Sequence, residues 1–306
     1  MRDGNTESSG ALEVVSEPSG EGFRCGWRIS VALTQLGREV AVAGSVWQMR
    51  DELWEVIGPL LPEHQPDPRG GRPRVDDRVA FGAILFVLFT GIAWRHLPRE
   101  LGCSPATAHR RLQEWRRGVL APASRAPASA KRRQADRLVR RSDRRQLRAR
   151  PARGGLTGPS PVDRARTGSK HHLLTDATGV PLAVSVTGAH RNDVTQLLPL
   201  IDGLEPVRGK TGRPRRRAER LLADRGYDHD KYRRELWARG VKPVIARRQT
   251  EHGSGLGKER WVVERGFAWL HNFRRLRTRY ERLGELHLAF LELGCAVICQ
   301  RMLGWP

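Results

Sequence analysis

Hydrophobic side chains recur at helical spacing in three stretches of the first third of the chain, residues 51–61, 76–90 and the segment after Ser104. A Pro- and Gly-rich linker, residues 66–73, separates the first two. Ser104 and the proline after it are typical of the N-cap and first position of a helix. The pattern predicts a small all-α domain over residues 49–118.

A turn-rich stretch, residues 91–102, separates the second and third predicted helices. The pair therefore resembles a helix-turn-helix, in which the third predicted helix would bring His109, Arg110 and Arg111 to DNA. An ordinary helical hairpin with a basic solvent face fits the same spacing. The hydrophobic pattern leaves both interpretations open.

The C-terminal half alternates between β-rich and helical patterns. Two β-rich runs, residues 170–175 and 181–187, flank the turn sequence Asp-Ala-Thr-Gly and predict a hairpin. A helix follows with Asn192 or Asp193 as its cap, and then come a strand into Asp224, a helix, a strand and two closing helices. This order predicts an α/β fold, a mixed sheet flanked by helices.

Two segments lack these patterns. Residues 1–48 are rich in Gly, Ser and Glu, which predicts a disordered or adventitious extension, with Met49 as an alternative start. Residues 119–152 contain no aromatic residue and no Ile, and ten Lys or Arg fall between Lys131 and Arg150. That composition predicts a basic linker, which leaves 153–306 as the second folded domain.

The net charge of the chain indicates the class of partner that it binds. The 55 Lys and Arg residues exceed the 33 Asp and Glu residues, so the formal net charge is +22 and a polyanion such as nucleic acid is favoured. No apolar run reaches the roughly 18 residues of a membrane span. The four cysteines have no paired metal-ligand spacing and are expected to be buried thiols, which fits a reducing cytoplasm and no membrane partner.

Two carboxylates stand out against this basic background. Asp224 lies where a short apolar run breaks into a Gly turn, and Glu264 lies on a basic amphipathic helix one turn after Arg260. Carboxylates that hold two Mg²⁺ ions can serve phosphodiester chemistry, because the metals stabilise both the attacking and the leaving oxygen. A surface ion pair between Glu264 and Arg260 fits the spacing equally well.

The motifs around the two carboxylates are Ala-Asp-Arg-Gly-Tyr-Asp at 223–228 and Arg-Trp-Val-Val-Glu-Arg-Gly-Phe at 260–267. Together with residues 51–115, 157–164, 168–176 and 190–193, they resemble bacterial insertion-sequence DDE transposases of the IS-five type, in the wider IS-four/IS-five superfamily. The resemblance implies that residues 153–306 form an RNase H-like catalytic domain. Three acids in it would bind Mg²⁺, with Mn²⁺ as a substitute, cleave the element ends and join them to target DNA.

The resemblance implies that Asp224 is the second acid, that Glu264 is the third, and that Arg260 is a supporting cation. For the first acid the best candidate is Asp143, which keeps the family's register but lacks the Ser that follows in the family's motif; Asp163 is the alternative. The family has apolar strand residues before this Asp, whereas this chain has Leu-Val-Arg-Arg-Ser. We hypothesise that residues 119 to about 142 are frameshifted, and an apolar alternative reading frame at the locus would reveal it.

The implied partners are double-stranded DNA, as terminal inverted repeats and as target, and a second copy of the chain, since two ends must be held together. Basic residues on the third helix, on the loop 208–217 and after the Glu264 helix are the expected DNA contacts: His109, Arg110, Arg111, Arg213, Arg215, Arg216, Arg274 and Arg275. Two alternatives remain, an inactive DNA-binding remnant with a damaged first strand and a nuclease of the same fold.

Overall fold

The structure is a computed structural model that describes residues 49–64, 68–116, 137–142, 147–148, 154–162, 164–204, 218–249 and 257–303, with the backbone alone at 137–142, 147–148, 257–260 and 303. The first part is helical, as the hydrophobic spacing predicts. Its helices are α1 (Asp51–Ile57), α2 (Asp77–Thr90) and α3 (Pro105–Trp115). The expected extension, residues 1–48, lies outside the described residues.

Local capping explains where these helices begin. The Asp76 carboxylate accepts hydrogen bonds from the backbone N–H groups of Arg78 and Val79, at 2.7 and 3.2 Å, so it satisfies donors that the first turn of α2 leaves open. The Ser104 hydroxyl accepts from Thr107 N at 3.1 Å at the start of α3. Both starts are where the sequence predicts them.

Within the part of the chain that the structure describes, seven strands form one mixed sheet, of which β4 is the longest. Their ranges are β1 Arg137–Ser142, β2 Leu147–Arg148, β3 Gly158–Pro159, β4 Thr167–Thr175, β5 Pro181–Gly188, β6 Arg220–Ala223 and β7 Lys242–Ile245. β4 is antiparallel to β5 on one edge and to β1 on the other. β6 is parallel to both β1 and β7, so the five main strands lie in the order β5-β4-β1-β6-β7.

The sheet begins earlier in the chain than the composition indicated. β1 and β2 both lie within residues 119–152, the expected linker, and β1 is the central strand. For residues 137–142 and 147–148 the linker prediction was therefore wrong. Composition describes side chains, whereas strand pairing is made by backbone N–H and C=O groups, which this basic segment has like any other.

Helices cover both faces of the sheet. These are α4 (Leu197–Asp202), α5 (Asp230–Ala238), α6 (Gly257–Asn272), α7 (Arg274–Arg277) and α8 (Gly284–Leu303). Alternation along the strands assigns the faces: Leu222 joins the core that contains α6 and α8, whereas Leu221 and Ala223 join the core that contains α4 and α5. The result is a three-layer α/β arrangement, as the order of elements predicts.

The N-terminal helices share the α6–α8 core. Trp94 stacks on Phe290 of α8 with ring centroids 5.9 Å apart. The Arg275 guanidinium donates to the Ile92 carbonyl at 2.7 Å. Gly91 ends α2 with a φ of 69°, and a Cβ there would lie 2.8 Å from the Arg274 Cβ, so only glycine fits this approach. The helical part and the sheet layer are thus packed as one unit.

Cysteine placement follows the expectation for three of the four residues. Cys103, Cys295 and Cys299 are buried free thiols. Burial raises the pKa of Cys299 to about 12, which keeps the thiol protonated and unreactive. Within the described ranges, no helix is long and apolar enough to span a membrane.

Candidate active site

Asp224 follows the last residue of β6, at the edge where the parallel strands β1 and β6 both end. Its backbone is still extended, with φ −77° and ψ 172°. Strand alternation therefore turns its side chain to the same face as Leu222, which is the face that α6 covers. The carboxylate is partly exposed, and its Oδ1 accepts from Gly226 N at 2.8 Å, which caps the tight turn Arg225–Tyr227.

A second carboxylate, Asp228, fixes this turn and was given no role by the sequence. Asp228 is buried and accepts from Arg233 Nε of α5 and from Arg248 N, both at 2.7 Å. Burial alone would raise the pKa of Asp228, but these hydrogen bonds and the nearby guanidinium charges lower it below its ordinary value. The Arg248 side chain donates in turn to the carbonyls of Arg225 and Gly226. The turn that carries Asp224 is thus held from both sides.

Glu264 lies on the exposed side of α6, whose opposite side is buried. Val263, Phe267 and Leu270 join the core under the helix. α6 packs across β1 and β4, and Gly266 makes the approach possible, because a Cβ there would lie 3.0 Å from Leu173 Cδ2 and 3.1 Å from the Gly179 carbonyl. Asp224 and Glu264 are therefore both carried by elements that adjoin β1.

Other predicted site residues fall outside what the structure describes. Asp143 is the next residue after the end of β1 and, like Asp163, lies outside the described residues; so does the side chain of Arg260. Within the described side chains, no group of three or more His, Cys, Asp or Glu residues could hold a metal ion. The described part of the site thus consists of Asp224 and Glu264.

A buried polar network lies beneath α6 to α8. The His171 and His287 rings share a hydrogen bond between their Nε2 atoms at 2.8 Å, and both residues are buried. Glu281 Oε1 accepts from Arg275 Nε and Nη2 at 2.9 and 2.6 Å. His287 Nδ1 lies 3.8 Å from Glu281 Oε2. The network ties β4 to α8 and α7.

Two of the expected DNA contacts are part of the protein interior. Arg111 is 3% exposed and pairs with Glu114 at 2.9 Å and Asp77 at 3.5 Å. Arg275 is also 3% exposed, and its charge is met by Glu281. The expectation that these two side chains face DNA was wrong, because each lies on the inner side of its helix, where a buried charge needs an acidic partner.

The remaining predicted contacts differ in exposure. Arg110 is largely exposed, with its Nε 3.8 Å from Glu114. His109 is half-buried and packs edge-on against Trp94 at 5.2 Å, and burial lowers its pKa below the ordinary value. Arg274 is half-buried. Arg213, Arg215 and Arg216 lie outside the described residues.

Comparison with known proteins identifies the family. Residues 49–122 match the family described as "Putative transposase of IS4/5 family", and residues 142–299 match the family described as "Transposase DDE domain". The second match covers just over half of the chain.

Three relatives agree with these matches. A putative transposase for insertion sequence element IS402 of Burkholderia cepacia is 64% identical over 143 residues, which are 47% of this chain and 68% of that protein. An uncharacterized 16.2 kDa protein of the same element is 52% identical over 68 residues, 21% of this chain and 46% of that protein. A transposase for insertion sequence element IS1106 of Neisseria meningitidis serogroup B is 32% identical over 126 residues, 38% of this chain and 40% of that protein.

The matched stretches cover the helical part and every strand of the sheet except β1, of which they include only the last residue. They also include Asp224 and Glu264. The chain therefore belongs to the IS4/IS5 family of insertion-sequence DDE transposases.

Proposed function

We propose that this chain binds the terminal inverted repeats of an insertion sequence, cleaves the phosphodiester bonds at the element ends and joins those ends to target DNA. The observation that carries the proposal is the placement of Asp224 directly after β6 and of Glu264 on α6, since both elements adjoin β1. The family match and the net charge of +22 support a DNA substrate. The reaction would take place in the cytoplasm, at the nucleoid.

An RNase H-like fold for the catalytic domain, residues 153–306 together with β1, is part of the proposal. It is supported by the order β5-β4-β1-β6-β7, in which β1, β6 and β7 are parallel and β4 is antiparallel to both β1 and β5. The helical domain, residues 49–118, would contact DNA as a helix-turn-helix formed by α2 and α3. Ser104, which caps α3 directly after the turn, supports this assignment.

The carboxylates Asp143, Asp224 and Glu264 would hold the metal ions. Oxygen donors suit a hard cation, and Asp224 and Glu264 are both open to solvent, as a site that must also admit DNA requires. Mg²⁺, or Mn²⁺ in its place, would stabilise the charge that develops on the attacking and leaving oxygens. Asp143 is preferred to Asp163 because it directly follows the central strand and because the DDE-domain match begins at residue 142. Arg260, one helical turn before Glu264, would hold a DNA phosphate.

Replacement of Glu264 by Gln tests the catalytic assignment. With a supercoiled plasmid that carries both element ends, and with Mg²⁺ or Mn²⁺ present, the unaltered protein should give nicked and joined products. Glu264→Gln should give none and still bind the ends, since the change removes one ligand charge from an exposed position without altering the core. Glu55→Gln, at an exposed carboxylate of α1, is the matched control and should stay active. Joined products from Glu264→Gln would contradict the assignment of Glu264 as a metal ligand.

A catalytically inactive remnant is the second candidate. It is favoured by the sequence of β1, where Arg140 and Arg141 stand in the central strand just before the candidate first acid. A remnant would bind element ends but neither nick nor join them with either metal. The same plasmid assay on the unaltered protein separates the two candidates. Synapsis of two ends by an active enzyme would require at least a dimer, which sedimentation of the DNA complex measures.

A further inference from the structure

A basic arm, defined as residues 68–74 with the sequence Pro-Arg-Gly-Gly-Arg-Pro-Arg, lies directly before α2. Its first six residues are all exposed. These six residues therefore add nothing to the hydrophobic core, and Arg69 and Arg72 lie on the surface of the helical part. An ordered, exposed and strongly basic segment of this kind is suited to contact a polyanion.

The two central residues of the basic arm are glycines, so the backbone there carries no side chains. Gly70 and Gly71 have φ values of +75° and +132°, which residues with a side chain rarely adopt. A Cβ at either position would meet none of the described atoms within 4 Å. The glycines therefore do not serve packing inside the protein. They leave a slim stretch of backbone, with Arg69 and Arg72 on either side.

The C-terminal end of the basic arm is anchored. Arg74 pairs with Asp77 of α2 at 3.0 Å and with Glu114 of α3 at 3.6 Å. Pro73 restricts the backbone immediately before this anchor. The arm is thus held against both helices of the proposed helix-turn-helix, so less conformational entropy is lost when it binds a partner.

The basic arm and α3 line one groove of about 590 Å³. Its polar lining includes His64, Arg72, Arg74, Ser104, Thr107 and Arg110. Asp77 and Glu114 form ion pairs with Arg74 and Arg111. Arg72, in contrast, lies in the exposed part of the arm, and Arg110 lies on the exposed side of α3. A single DNA duplex could therefore contact the arm and α3 together.

We infer that the basic arm lies in the minor groove of the DNA end whose adjacent major groove receives α3. The inference rests on the proposed DNA-binding function. The minor groove of B-DNA is only about 6 Å wide, so it admits a backbone without side chains more readily than a helix. Narrow A·T-rich minor grooves also concentrate negative potential, which attracts inserted arginine side chains. The arm would thus select A·T base pairs next to the site that α3 contacts.

Inosine·cytosine substitution tests the groove directly. This pair presents the minor-groove pattern of A·T, because inosine lacks the guanine amino group, but the major-groove pattern of G·C. Three duplexes taken from the DNA flanking the gene would carry A·T, inosine·cytosine or G·C pairs beside the α3 site, and affinity would be measured by fluorescence anisotropy. The protein should bind the first two alike and the G·C duplex roughly tenfold more weakly.

Two single variants separate the arm from α3. Arg72→Ala should abolish the difference between the three duplexes, and because Arg72 is exposed, the fold should be retained. Arg110→Ala, the matched change on α3, should weaken binding to all three and keep their ratio. Equal, salt-sensitive binding of the unaltered protein to all three duplexes would overturn the minor-groove inference and leave DNA binding intact. If the inosine·cytosine duplex binds as weakly as the G·C duplex, the minor-groove inference is overturned as well. Binding to none of the duplexes would overturn the proposed function itself.

Discussion

Gly226 lies close against the Asp224 carboxylate. A Cβ at position 226 would come within 2.9 Å of Asp224 Oδ1, and no other described atom would be closer than 3.8 Å. The carboxylate is the free end of a short side chain, so it can rotate away from an added methyl group. The absence of a side chain at position 226 thus affects the orientation of the Asp224 carboxylate more than the stability of the turn.

Gly226→Ala should therefore separate activity from stability. We expect the free energy of unfolding to change by less than about 1 kcal/mol, since the turn remains clamped by Asp228 and Arg248. If Asp224 is a metal ligand, as proposed, strand-transfer activity should fall, because the rotated carboxylate changes its direction. Urea denaturation and the plasmid assay measure the two effects. Gly240→Ala, at a positive-φ glycine in the α5–β7 turn, is the contrasting control and should cost stability first.

The buried histidines make stability depend on pH. Burial lowers the pKa of His171 well below its ordinary value of 6.5, and the charges of neighbouring groups add to this; those groups are His287, His271, His172 and Arg279. Burial also lowers the pKa of His287, against the opposing effect of Glu281. Each ring therefore binds a proton less readily in the folded protein than in the unfolded chain. Their contribution to stability is fully present above about pH 6.5 and is lost as the pH falls below it.

The expected loss of unfolding free energy is at most about 1.4 kcal/mol per pH unit for each of His171 and His287, starting below pH 6.5. Urea denaturation at a series of pH values measures it. His171→Gln should give a shallower dependence, whereas His96→Gln, at an exposed histidine, should leave the slope unchanged. If His171→Gln keeps the slope of the unaltered protein, the ring of His171 is not the group that titrates.

The role of a single residue could be predicted from the sequence where it depends only on neighbouring residues in the chain. The cap Ser104 follows from its own backbone neighbours, so the sequence shows it. The burial of Arg111 and Arg275 depends on Asp77 and Glu281, and on which side of each helix meets the core. A basic residue on a helix looks the same in the sequence whether it faces DNA or the interior.

Among the elements, α6 is positioned by its contact with the hairpin β4–β5. Gly266 allows the helix to approach Leu173, and the Arg265 guanidinium donates to the Thr178 carbonyl in the turn of that hairpin. Arg265 also lies 4.7 Å over the Trp261 ring and 5.1 Å over the Trp269 ring. These contacts fix the helix on which Glu264 is carried.

Gly266→Val should displace α6. The added side chain meets Leu173 and the Gly179 carbonyl, and overpacking of this kind typically costs about 1 to 3 kcal/mol. Thermal denaturation should show the loss, and strand transfer should fall because Glu264 moves with its helix. Ala268→Val, at an exposed position of α6, is the control for the helix propensity of valine and should cost less than about 1 kcal/mol. Equal destabilisation by both changes would contradict the packing argument.

Most elements could be predicted from periodicity, because hydrophobic spacing reports burial directly. β1 could not, since Leu-Val-Arg-Arg has neither strict alternation nor an apolar run. Its place in the sheet comes from backbone pairing with β4 and β6, which follow it in the chain by many residues. For the same reason Asp143 was identified only by resemblance to the family, whereas Asp224 was also marked by the apolar strand before it.

Across the whole molecule, the helical part and the sheet layer are joined by a shared core. The Ile92 carbonyl accepts a hydrogen bond from Arg275, and the Trp94 ring stacks on Phe290. Gly91, at the end of α2, lies against Arg274. At the edge of this contact, Arg116 Nη1 lies 3.0 Å from Glu285 of α8. Such an interface predicts cooperative unfolding, whereas two domains joined by a linker would unfold independently.

Amide hydrogen exchange tests this coupling. We expect α2 and β4 to open with the same free energy, and Trp94→Ala should lower both by about 3 kcal/mol because the ring packs on Phe290. Trp237→Ala removes a ring that is 57% exposed on α5 and should lower neither by more than about 1 kcal/mol. Loss of protection in α2 alone after Trp94→Ala would show that the two parts are independent.

The central position of β1 also affects synthesis on the ribosome. The hairpin β4–β5 can pair with β1 soon after it emerges, but β6, which covers the other edge, begins at Arg220. At bacterial elongation rates that edge stays open for on the order of ten seconds. An open strand edge invites pairing with other nascent chains, and charged residues discourage it. The sequence of β1 contains such charged residues, Arg140 and Arg141.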